Sequence, residues 1–108
     1  MGRLALLALA VTAGIGVTRA VPAHQAPVRR EVQMRSVSFM PGDLMVAVGD
    51  TVVWKNVDIV RHNAVRPELF ETGELAPGQQ YAWVPADTGT FTYRCTIHRR
   101  MRGTIVVR

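Results

Sequence analysis

The chain has 108 residues, a formal net charge of +5 and a single cysteine. That length holds one domain, and one cysteine excludes an intrachain disulfide framework. The basic charge has no aromatic-basic face beside it, which argues against nucleic acid as a partner.

Arg3 gives a positive start, Leu4 to Val17 is a nearly uninterrupted apolar run, and Thr18-Arg19-Ala20 follows. These are the parts of a secretory signal peptide over residues 1–20, cut after Ala20 or, at Val21-Pro22-Ala23, after Ala23. An apolar core of about 14 residues is short against the roughly 20 that a spanning helix needs. The expectation is therefore an exported, periplasmic protein with no stable membrane insertion after cleavage. Residues 21–30 hold Pro22, Pro27, His24 and the pair Arg29-Arg30 without periodicity, and read as a flexible leader before a domain over 31–108.

From Glu31 onward the pattern is β. Val32 and Met34 alternate, then Val37 and Phe39 take the opposite phase, which predicts a bulge near Arg35-Ser36. Met40-Pro41-Gly42-Asp43 is a turn, and Leu44, Val46 and Val48 alternate after it. Gly49-Asp50 turns the chain into Thr51 to Lys55, a β-branched run carrying Trp54. Met34 and Met45 fit inward strand positions. Residues 69–78 mix Gly, Pro and Glu as an irregular crossing. Tyr81 to Val84 is a strand, and Pro85 to Gly89 a turn. Phe91, Tyr93 and Cys95 share one face of the next strand, and Thr104 to Arg108 closes the domain with Ile105 and Val107 inward. Short strands with regular turn signals predict an all-β sandwich or barrel.

The chemistry concentrates in Cys95-Thr96-Ile97-His98-Arg99-Arg100-Met101, with His62-Asn63 upstream. Thiolate, thioether and two imidazoles are the donors that hold a single copper ion in an electron-transfer site. Two residues between Cys95 and His98, and two more before Met101, let one turn aim three side chains at a common centre. The fourth donor must come from another strand. An exported protein with one cysteine must protect or use that thiol, and metal ligation does both. Two-copper electron-transfer sites need a second cysteine, and oxidase or nitrite-reductase arrangements need more histidines than the three present. Structural zinc would want more cysteines or a third well-placed histidine.

The stretch from Val48 to Asn56, then His62-Asn63, then Phe91 to Gly103 resembles the small blue-copper proteins, the cupredoxins. The short His98–Met101 spacing is similar to the amicyanin branch rather than to plastocyanins. The resemblance implies a Greek-key β-sandwich around one type 1 copper. His62, Cys95 and His98 would form a near-trigonal plane, with Met101 as a long axial ligand. It also implies that Asn63 hydrogen-bonds across to the loop at Thr96, that His62 is buried, and that His98 lies near the surface as the electron port.

The chain departs from that family at the loop tip, where Arg99 and Arg100 replace an apolar Pro-Phe pair. After Asp87 there are five arginines, at 94, 99, 100, 102 and 108, and no acid, while Arg61 and Arg66 flank the other ligand segment. A local basic field steers an acidic redox partner and raises association rate more than affinity. The reading is a monomeric one-electron carrier, not an enzyme, that docks such a partner near its basic copper end. The alternative is an extracytoplasmic copper chaperone or storage module.

Overall fold

The computed structural model describes residues 26–108, together with Gly2, Gly14 and Gly16. The signal peptide expected over residues 1–20 and most of the expected leader thus fall outside the described residues. Among the described residues nine strands form two sheets. They are β1 (Arg29–Arg35), β2 (Ser38–Met40), β3 (Asp43–Val46), β4 (Thr51–Asn56), β5 (Val65–Arg66), β6 (Phe70–Glu71), β7 (Gln80–Trp83), β8 (Gly89–Arg94) and β9 (Arg102–Val107). One sheet has the order β2-β1-β4-β7, the other β3-β9-β8-β5-β6. Among the described residues no helix is long and apolar enough to cross a membrane.

Four details differ from the sequence reading. First, β1 begins two residues before the expected boundary, because Arg29 and Arg30 pair with Thr51 and Val52 in a parallel ladder. Asp50 fixes that start by accepting the Val28 and Ala47 N–H groups, each at 2.9 Å. Second, the phase change after Met34 is a hairpin turn and not a bulge. Ser36 and Val37 both have positive φ (51° and 54°), which reverses the chain so that Met34 faces Phe39. Positive φ at both central residues is the geometry of a tight two-residue hairpin, and Val37 is an unusual residue to hold it. Third, Met45 faces solvent, since Leu44 and Val46 take the inward positions of β3 and side chains alternate. Fourth, β3 ends at Val46, so Val48 lies past the strand and is exposed.

The core lies between the sheets and is built on aromatic contacts. Trp54 of β4 is fully buried, with ring centroids 4.4 Å from Phe70 and 5.5 Å from Tyr93 of β8, and Phe39 lies 4.7 Å from Tyr93. Such edge and tilted pairings add to the burial of large apolar area. Burial also pushes the Tyr93 hydroxyl above its usual pKa. Tyr93 and Cys95 share the inward face of one chain segment, so the thiol enters at the end of this core rather than on the surface.

Tyr93 pairs with Gly103 across β8 and β9, and its ring lies where a side chain at 103 would stand. A Cβ there would press into Tyr93 Cζ, Oη and Cε1. Gly103→Ala is expected to cost about 1–3 kcal/mol, the range for overpacking. Thermal unfolding should show it as a Tm lowered by at least about 4 °C.

Candidate metal centre

His62 arrives on the loop after β4, and polar side chains shape that loop. Asn56, fully buried, donates from Nδ2 to the Val60 and Leu75 carbonyls, both at 2.8 Å, and accepts the Asp58 N–H at 2.9 Å. His62 then makes a two-way backbone bridge with Leu75, its N–H donating at 3.2 Å and its carbonyl accepting at 2.7 Å. Every buried backbone group so engaged is one fewer that water must satisfy, and the imidazole is left wholly buried.

The other donors come from the turn between β8 and β9. Cys95 N–H donates to the Met101 carbonyl and Met101 N–H to the His98 carbonyl, each at 3.0 Å. These bonds close the loop on itself between Cys95, His98 and Met101. The two segments are clasped together by Asn63 and Thr96. Asn63 Nδ2 donates to Thr96 Oγ1, and Thr96 N–H donates to Asn63 Oδ1, both at 2.7 Å. The expected cross-link is present, in two directions.

His62 Nδ1 lies 3.2 Å from His98 Nδ1, and Cys95 Sγ lies 3.9 Å from His98 Nδ1. The donor atoms of all three residues fall within 4.8 Å of one another. Metal bonds of about 2.0 Å to imidazole and about 2.3 Å to thiolate, at angles of about 105–130°, set donors roughly 3.2–3.9 Å apart. The His62–His98 and Cys95–His98 separations fall in that range, and a single ion would draw the His62 ring and the Cys95 thiol closer than they stand here. Cys95 is 1% exposed and Met101 1% exposed, whereas His98 is half-buried. This matches the expected contrast between a buried His62 and a loop histidine near the surface. Met101 packs in the same core cluster as Cys95.

Asp58 is a member of the centre that the sequence reading missed. Its Oδ2 lies 2.9 Å from His62 Nε2 and also accepts the Val37 N–H at 2.9 Å, while Oδ1 accepts the Ile59 N–H at 2.9 Å. Those bonds, from Val37 first and then His62, hold its carboxyl at a pKa of about 2. An ionised carboxylate only accepts, so His62 Nε2 carries the hydrogen. In the neutral ring Nδ1 then presents its lone pair toward Cys95 and His98. A carboxylate behind a metal-binding imidazole fixes the tautomer and raises its donor strength. The one available signal was an acid four residues ahead of His62.

The surface around the centre is more mixed than expected. Arg99 and Arg100 are exposed on the loop, but so are Ile97, at 42%, and Ile59, at 90%, on the segment leading to His62.

Comparison with known proteins agrees with this geometry. The Cupredoxin-like domain model matches residues 5–107. An amicyanin from Paracoccus denitrificans is 35% identical over 82 residues, covering 70% of this chain and 63% of the relative, so less than two thirds of that protein is spanned. Among solved structures, the Cu(I) form of an amicyanin variant superposes with a TM-score of 0.70 at 31% identity, covering 77% of this chain and 85% of that one. A copper-containing nitrite reductase from Thermus scotoductus SA-01 gives 0.69 at 36% identity, covering 77% of this chain but 22% of the reductase. Since the family match runs through both donor-bearing segments and into the last strand, the chain belongs to the cupredoxin-like domain family.

Proposed function

We propose that the protein is an exported one-electron carrier that holds one type 1 copper ion through His62, Cys95, His98 and Met101. The observation that carries this reading is the convergence of two imidazole nitrogens and a thiol within 4.8 Å at the end of an apolar core. Bound copper would supply a one-electron Cu(I)/Cu(II) couple, with the Met101 thioether as the donor that would tune its potential. The residues of the chain do the rest. Asn63, Thr96 and Asp58 hold the donor-bearing segments from outside, which would limit rearrangement between oxidation states. The half-buried ring of His98 offers an edge to a partner, while Cys95 and His62 remain shielded from water.

Four protein donors leave no coordination position for a substrate, which favours a carrier over an enzyme; the nitrite-reductase likeness covers one cupredoxin-sized part of that protein. The partner is a redox protein with an acidic docking surface, drawn to the arginines near the centre, and the carrier acts as a monomer in the periplasm.

Loading with Cu(II) is expected to give an intense visible band from thiolate-to-copper charge transfer, at one ion per chain, bleached by ascorbate and restored by ferricyanide. A colourless Cu(I) species that yields its metal to a weak chelator would instead identify a chaperone. Met101→Leu should keep the colour and raise the potential by about 60 mV or more, a tenfold shift in the one-electron balance. An unchanged potential in voltammetry would remove Met101 from the donor set. Asp58→Asn should weaken Cu(II) binding about 10–100-fold in a competitive chelator titration, the usual scale for an outer carboxylate partner. If affinity holds while the Tm falls, Asp58 serves the hairpin at Val37 and not the metal.

A further inference from the structure

The arginines of the last third of the chain do not all gather at the loop tip. Arg99 and Arg100 are exposed there, but Arg94 and Arg102 face each other across β8 and β9. Tyr93 and Cys95 point into the core, so Arg94 between them points outward from the five-stranded sheet. Arg66 joins them from β5, whose Val65 pairs with Arg94. All three line one open groove of about 750 Å³, whose wall also carries Asp43 and Glu68.

Two observations mark this groove as a binding surface. Like charges directly opposed on neighbouring strands destabilise a sheet, and Arg94 and Arg102 are such a pair. Among the described residues no carboxylate lies within ion-pair distance of Arg66, Arg94 or Arg102; the ion pairs present are Arg29–Glu31 and Asp58–His62. Separately, Arg66 is held in place beside them. Its Nη1 donates to the Thr92 carbonyl at 3.1 Å and the Thr92 hydroxyl at 3.2 Å, and its guanidinium carbon lies 5.9 Å from the Phe91 ring centre. Those bonds cap an edge of β8 that the two-residue β5 leaves mostly unpaired. A fixed guanidinium beside two unneutralised ones is a preorganised anchor for carboxylates.

We propose that this groove docks an acidic segment of the redox partner, a run of Asp or Glu side chains, with Arg94 and Arg102 as paired anchors and Arg66 as the fixed third. The proposal deepens the carrier reading and rests on it for the nature of the partner. Exposed ion pairs are individually weak, so a segment presenting several carboxylates fits an open groove across three strands better than one small anion does. The arginine corner adjoins Cys95 and Met101 in the chain, on the outer face of the segment whose inner face carries the thiol.

The test is an amide NMR titration of the Cu(I)-loaded protein with hexaglutamate peptide, at low and at physiological salt. Shifts are expected at Thr92 to Arg94 and at Arg102 to Thr104, weakening as salt screens the charges. Arg94→Gln/Arg102→Gln should lose about tenfold or more in affinity while its Tm rises, because the opposed charges are relieved. A purely structural pair would not give that opposite movement. Arg99→Glu/Arg100→Glu should retain most of the binding. Absence of shifts in the unaltered protein, shifts confined to residues 96–100, or binding that survives the 94/102 change would each overturn the assignment. So would pyrophosphate binding the groove more tightly than the peptide, which would make it a small-anion site. Copper loading is read separately by colour, so the carrier reading and the groove can fail independently.

Discussion

Two hydrogen bonds of 2.7 Å between Asn63 and Thr96 hold the halves of the donor set in register. One half is a single histidine on a loop after β4; the other is a turn that carries a thiol, an imidazole and a thioether. Neither half is a site by itself. Because both partners of the clasp directly follow a donor residue, any slip between the two segments would break it and separate the donors together. The same amide serves both directions, donating with Nδ2 and accepting with Oδ1, so a change to an acid or an aliphatic side chain would leave an unpaired group close to the metal position.

Behind the clasp is a second layer of polar order. Asn56 winds the loop, the His62–Leu75 bridge anchors its end, and Asp58 fixes the ring hydrogen of His62. Buried polar groups are costly unless satisfied, and once satisfied they specify one arrangement. The network also reaches away from the centre. Asp58 receives the Val37 N–H from the β1–β2 turn, where Val37 holds a positive φ of 54°. The carboxylate thus joins a strained hairpin to a donor histidine, and the two neighbours each help keep it ionised.

Charge is arranged on a different plan from the donors. The donors point inward from residues that alternate with outward arginines, as at Tyr93, Arg94 and Cys95. Period-two alternation therefore places guanidinium and thiol on opposite faces of one short segment. Water screens the outer face, while the inner face, in an apolar cluster with Trp54, Phe70 and Tyr93, is not screened in the same way. Ile97, exposed beside His98, interrupts the basic run of the loop, so the surface there mixes both characters.

Much of the fold and of the site was legible beforehand because short-range rules governed it. Alternation marked the strands around Trp54, Tyr93 and Ile105, and the spacing of Cys95, His98 and Met101 is a property of one turn. The resemblance pointed to His62 and to the Asn63–Thr96 cross-link. Other features were set by tertiary contact. The turn at Ser36-Val37 reads as a bulge in sequence, because a phase change looks the same whether one residue is inserted or the chain reverses. Arg29 and Arg30 look like leader until Thr51 and Val52 supply a parallel ladder. Asp58 became part of the centre because loop winding around Asn56 brings its carboxylate to His62. The grouping of Arg66 with Arg94 and Arg102 depends on cross-strand register, which pairs residues far apart in the chain. Local pattern determined which side chains carry the chemistry; long-range packing decided which atoms meet, because hydrogen bonds and charge act through distance in space and not along the sequence.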